Sequence, residues 1–129
     1  RDEKVFVMGE DVAIIGGVYK ATRGLYEEFG AKRVRNTPLS ELAILGSATG
    51  AAICGARPVA EIMHIDFIGC GFGIILNQMS KMCYKTNGHV HVPLVVRTQG
   101  GRGHSNSCTQ SQSLESLITH IPGIKVVTV

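Results

Sequence analysis

The chain has 129 residues and a mass of 13.8 kDa, enough for one domain with one core and too short for two ordinary ones. Hydrophobic residues make up 44% and charged residues 18%, which is globular rather than disordered composition. Thirteen basic against ten acidic residues leave a mild +3 with the signs interleaved. The nearest basic cluster (Lys32, Arg33, Arg35) carries no aromatic ladder, and no apolar run approaches the ~20 residues of a bilayer span. Neither a nucleic acid nor a membrane is therefore expected as a partner.

Glycine is the outlier, with sixteen residues against a usual ~7% and no collagen-like period. In chain order, Val5 to Met8 reads as a buried strand and Gly9 to Gly17 as a loop. Thr22 to Phe29 reads as a short amphipathic helix stopped by Gly30, and Arg33 to Arg35 as a short strand. Ser40 is placed to cap a helix over Glu41 to Cys54, with Gly55 after it. Arg57 to Met63 reads as a strand, Phe67 to Tyr84 as an apolar helix, and Asn87-Gly88 as a turn. Val92 to Arg97 is a strand, Thr98 to Ser113 a long polar loop, Leu114 to His120 a short helix, and Ile124 to Val129 a closing strand.

Apolar strands alternating with helices predict an α/β domain: a parallel sheet with helices on both faces. Ligands of such sheets sit at the carboxyl ends of the strands, so chemistry is expected in the loops after Met8, Met63 and Arg97. The start at Arg1 without Met and the stop at Val129 inside an apolar run suggest a piece of a longer protein. The four cysteines fit no zinc module; Cys54 and Cys70, among small apolar residues, read as buried thiols in a reducing compartment.

Gly69-Cys70-Gly71-Phe72-Gly73 suggests a phosphate loop, but its third glycine comes one residue early for a dinucleotide fingerprint. A packing surface of small residues is the competing reading, and a nucleotide-binding α/β domain stays open as an alternative. Gly100 to Gly103 lacks the Lys-Ser/Thr of a P-loop, and His104-Ser105 has no nucleophile elbow around it. His89 and His91 share one side of an extended segment with no third ligand evident, so no metal site is assigned. His64, beside Asp66 after a strand, reads equally as a site residue or a satisfied structural histidine. Glu41, in the first turn of a Gly/Ala-rich helix, gains from the helix dipole and reads either as a site acid or as a surface capping glutamate.

From Gly9 to Ala52, through Thr37-Pro38-Leu39-Ser40-Glu41, the sequence closely resembles the β subunit of thiamine-diphosphate-dependent 2-oxo acid dehydrogenases of the pyruvate, branched-chain and acetoin type. The resemblance resumes in GARPVAEIMHIDF, VPLVVRTQGG and QSLESLITHIPGIKVV, and it covers nearly the whole chain as the family's pyrimidine-binding domain. It implies that Glu41 hydrogen-bonds a ring nitrogen of the cofactor's aminopyrimidine. That contact favours the imino tautomer, whose exocyclic nitrogen can take the proton from the thiazolium carbon and leave an ylide nucleophile. Phe67 matches an aromatic packed on the pyrimidine, and Met63 and Cys70 fall at pocket-lining positions.

Gln110 stands where the family carries a histidine in Gln-His-Ser-Gln. A Gln hydrogen-bonds but shuttles no proton near neutral pH, so a divergent non-catalytic paralogue is the second reading. Gly73-Ile74 replaces a family Asp-Gln pair, and the added glycine is expected to weaken the second helix. The diphosphate and Mg2+ motif is absent here. In this family it lies on the α subunit, which implies a shared site, an α2β2 heterotetramer and a lipoyl-bearing acyltransferase as acyl acceptor. The implied setting is the cytoplasm or the mitochondrial matrix.

Overall fold

Four strands, β1 (Val5–Gly9), β2 (Val34–Asn36), β3 (Arg57–Ile62) and β4 (Val95–Thr98), appear in a computed structural model that describes residues 2–103 and 105–129. They form one sheet in the order β2-β1-β3-β4, with every pairing parallel. In register, Val7 lies beside Val34 and Val59, and Glu61 lies beside Gly9 and Arg97.

The two-residue period of a strand sends neighbouring side chains to opposite faces, and both faces meet helices. On one face, Ile44, Leu45 and Ala48 of α2 (Glu41–Ile53) pack with Ala60 and Ile62, and Met8 and Val96 join them. Ile44, Leu45 and Ile62 are almost wholly buried, each contributing about 1.5–3 kcal/mol of burial. On the other face, Leu25 and Tyr26 of α1 (Leu25–Phe29) pack with Val7, Val12 and Val34. That second layer is thinner. A groove of about 360 Å³ lies open over Val5, Val59 and Val95.

Helix α1 starts later than the sequence pattern suggests, because Gly24 sits at φ 84° and ends the turns that precede it. Helix α2 runs as expected, with Gly55 just beyond it at φ 94°. Ser40 does not cap through its hydroxyl, which donates to Pro38 O at 3.3 Å. The helix expected over Phe67 to Tyr84 is broken into a 3₁₀ segment (Ile65–Gly71), one α-turn, α3 (Phe72–Ile74), a π-turn (Ile75–Met79) and α4 (Met82–Lys85). A Cβ at Gly71 would overlap Leu45 Cδ1 of α2, so the 3₁₀ segment is pressed against that helix. A Cβ at Gly69 or Gly73 would meet nothing within 4 Å. The glycine run is thus a packing surface at its centre.

The last element, α5 (Glu115–Thr119), leads to the Pro122-Gly123 turn, where Gly123 has φ 96° and lies against Ser80 O. Ile124 to Val129 forms no strand. Ile124 packs on the core, but the segment pairs with no sheet edge among the described residues, and Val127 is 82% exposed. Its apolar run carries the same signal as a strand without a neighbour to pair with. Cys54 and Cys70 are exposed rather than buried, as are Cys83 and Cys108, and all four are free thiols. Cys54 caps the outer end of α2, and Cys70 follows Gly69 on the open side of the 3₁₀ segment, so small neighbours there mark surface turns.

Candidate functional site

The chain passes from β1 outward to β2, then returns across β1 to β3 and on to β4. Connections therefore leave the carboxyl ends of β1 and β3 in opposite directions. A crevice opens at such a switch point, and ligands of parallel sheets lie there. The loop after β1 carries Glu10 and Tyr19; the turn after β3 carries Met63, His64, Asp66 and Phe67. The loop after β4 carries Gln110.

Glu41 is the first residue of α2 and is 9% exposed. A carboxylate there lies at the positive end of the helix dipole. It is a buried acid, not a surface capping glutamate. Glu10 is equally buried, and its Oε1 accepts the Ser40 backbone N–H at 3.2 Å, tying the loop after β1 to the start of α2. Burial holds the Glu10 carboxyl above its ordinary range, the nearby Glu41 carboxylate pushes it the same way, the Ser40 N–H opposes them, and Asp11 adds a smaller rise. Glu61, within β3, is 4% exposed and paired with Arg97 at 2.6 Å across the β3–β4 ladder. Its Oε1 stands 3.2 Å from where a Cβ at Gly17 would be, so the loop after β1 closes tightly on this pair, and Gly17 (φ 78°) permits it.

Phe67 and Met63 are half-buried, and Cys70 is exposed three residues beyond Phe67. His64 is 4% exposed, and its ring stands edge-on to Tyr19 and Phe67 at centroid distances of 5.7 and 5.5 Å. Beyond β4, residues 99–103 and 105–113 are irregular, as expected of a loop, and are pinned to the 3₁₀ segment. Ile65 N donates to Gln99 O at 2.7 Å, and Gln112 Nε2 donates to Asp66 Oδ1 at 2.6 Å. Asn106 Nδ2 donates to the Tyr19 hydroxyl at 3.2 Å, tying the same loop to the one after β1. Gln110 is half-buried in this loop, its N–H donating to Ser107 O at 3.4 Å, and it has no hydrogen bond to Glu41, Met63, Phe67 or Cys70. His104 lies outside the described residues. His91 Nδ1 contacts Cys83 Sγ at 3.7 Å, away from this edge of the sheet. Among the described residues, no three or more His, Cys, Asp and Glu side chains are grouped to hold a metal ion.

Four contributors escape a reading of the sequence: Glu10, Tyr19, Glu61 and Arg97. Two of them leave a usable signal. Glu61 is an acid inside an otherwise apolar strand, and Arg97 a base near the end of the next one. Such charges can be buried only as a pair.

A parallel α/β domain with buried acids and an aromatic cluster beside its switch point is of the doubly wound class. The chain belongs to the transketolase pyrimidine-binding domain family, whose model matches residues 1–129. It is 46% identical over 127 residues to a 2-oxoisovalerate dehydrogenase subunit beta of Bacillus subtilis strain 168, covering 98% of this chain and 39% of that protein. It is 44% identical over 127 residues to a pyruvate dehydrogenase E1 component subunit beta of Rickettsia conorii, with 98% and 39% covered. An acetoin:2,6-dichlorophenolindophenol oxidoreductase subunit beta of Cupriavidus necator matches at 44% over 137 residues, with 98% and 40% covered. The chain thus spans about two fifths of the length of these relatives.

Proposed function

We propose that this chain is the pyrimidine-binding part of a 2-oxo acid dehydrogenase β subunit, and that Glu41 activates thiamine diphosphate. The observation that carries the reading is a carboxylate buried at the first residue of α2, with Glu10 holding the cap residue beside it. The residues present suit an aminopyrimidine: an acid for a ring nitrogen in Glu41, a half-buried aromatic in Phe67, an adaptable wall in Met63 and a rim at Cys70. When bound, the cofactor supplies a carbon nucleophile and an electron sink for decarboxylation. Glu41 holds a proton at the pyrimidine nitrogen, and Phe67 fixes the ring plane. Gln110 offers a hydrogen bond to substrate or acyl group but carries no proton.

The diphosphate and its Mg2+ are assigned to a partner α subunit, in an α2β2 heterotetramer that passes the acyl group to a lipoyl-bearing acyltransferase. Leu39 (80% exposed) and Leu42, large apolar side chains flanking Glu41 at the start of α2, support a covering partner there. Four free thiols support a reducing setting, cytoplasm or mitochondrial matrix. No helix among the described residues is long and apolar enough to cross a membrane.

The test is calorimetric titration of thiamine diphosphate into the full-length β chain assembled with its α partner. Wild type is expected to bind and turn over, and Glu41→Gln to lose turnover; equal affinity and turnover in both would overturn the reading. Gln110 favours a second reading, a non-catalytic paralogue. Under the first reading Gln110→His raises an existing turnover, whereas under the second wild type has none.

A further inference from the structure

We propose that His64 is a specificity residue that hydrogen-bonds the oxygen atoms of the 2-oxo acid substrate. The inference deepens the proposed function and rests on it. Its starting point is a nitrogen: His64 Nδ1 is fully buried and has no hydrogen-bond partner among the described residues. Such a group is costly to leave unpaired in a native interior, and it persists where a ligand or an ordered water completes it.

The surroundings favour a ligand. The ring is held edge-on to Tyr19 and Phe67, so its direction is fixed by aromatic packing, and the Phe67 N–H donates to the His64 carbonyl at 3.0 Å. The residue directly follows the Met63 position at the carboxyl end of β3, beside the switch point. The loop that carries Gln110 reaches the same cluster through Asn106 and the Tyr19 hydroxyl. His64 therefore stands at the junction of the three loops that surround the site.

The chemistry selects the occupant. At this junction Glu61 is engaged by Arg97 and Asp66 Oδ1 by Gln112, while Asp66 Oδ2, Thr98 Oγ1 and Gln99 Nε2 are, like His64 Nδ1, buried without a hydrogen-bond partner among the described residues; of these only the His64 ring is held by two aromatic neighbours. An aminopyrimidine already has Glu41 and Phe67 for its polar edge and its face. In the tautomer that carries its proton on Nδ1, the imidazole suits a pure acceptor, and a 2-oxo acid presents only acceptors, its carbonyl and carboxylate oxygens. In this role His64 sets affinity for the substrate and not for the cofactor.

The test uses the full-length β chain in assembly with its α partner, with pyruvate and 2-oxoisovalerate as substrates and thiamine diphosphate titrated separately. His64→Phe, which keeps a ring and removes the polar atom, is expected to raise KM for the accepted acid roughly tenfold. The cofactor Kd should stay within about twofold and Tm should not fall, since an unpaired polar atom has been removed. His64→Asn, whose amide stands where Nδ1 does, is expected to restore KM to within about threefold. An unchanged KM in His64→Phe, or an Asn variant no better than Phe, would overturn the proposal and leave a hydrated structural imidazole. A wild-type assembly that binds no thiamine diphosphate would overturn the proposed function itself, and this inference with it.

Discussion

Two stretches of this chain are written in nearly the same alphabet and end differently in space. Glu41 to Ile53 and Phe67 to Tyr84 are both apolar and rich in glycine and other small residues. The first is one continuous 13-residue helix; the second is divided into 3₁₀, α and π turns. Composition does not separate them, because α2 carries Gly46 and Gly50 without breaking, and a Cβ at either would meet nothing within 4 Å. The difference lies in what presses on them. Gly71 is jammed against Leu45 and the start of α2, and Ser80, where the π-turn ends, is buried under the Gly123 turn. The intact helix fixes Glu41 at its first residue. The broken segment trades regularity for a tight turn that carries Phe67 and Cys70 beside β3. One region supplies rigidity and the other supplies shape.

Gly71→Val should break this comparison most severely, forcing the 3₁₀ segment off α2 at a cost of about 1–3 kcal/mol, read as a lower midpoint in urea denaturation. Gly73→Ala sharpens it in the opposite direction. The position is open and has no positive φ, so the variant should gain about 0.5–1 kcal/mol while circular dichroism changes little, because the breaks at Gly71 and Ser80 remain. A large rise in helicity would show that composition broke the segment.

The smallest effect belongs to Glu10. Its carboxyl is raised in the folded state above its ordinary 4.5, so the folded chain holds a proton that the unfolded chain has already released. Stability contributed by this group is therefore lost as pH climbs from 4.5 through the raised value. Glu10→Gln keeps an acceptor for Ser40 and removes the charge, so it should stabilise the fold slightly at neutral pH and equal wild type below pH 4.5. Thermal melts across that range check it, and a variant destabilised at neutral pH would show that the carboxylate itself is needed.

Much of the fold was legible because short apolar runs in an alternating β/α order admit few topologies, and the loops after Met8, Met63 and Arg97 do meet at the carboxyl end of the sheet. Glu41 was legible as an acid at a helix start. What escaped depends on distant partners. Nothing near Glu10 in sequence says that it will bond Ser40, and nothing near Glu61 says that Arg97 will neutralise it. The same reason hid the fate of residues 67–84, whose breaks are imposed by Leu45 and Gly123, and of Ile124 to Val129, an apolar run that finds no edge. The cysteines misled because small apolar neighbours mark exposed turns as readily as interiors.

The central claim is that Glu41 activates the cofactor, and the most direct measurement is hydrogen–deuterium exchange at the thiazolium C2 of thiamine diphosphate bound to the assembled α and full-length β chains. Glu41→Gln is expected to slow this exchange by roughly 10²-fold or more, with the assembly still folded and the cofactor still bound. Exchange at the wild-type rate in the Glu41→Gln assembly would contradict it.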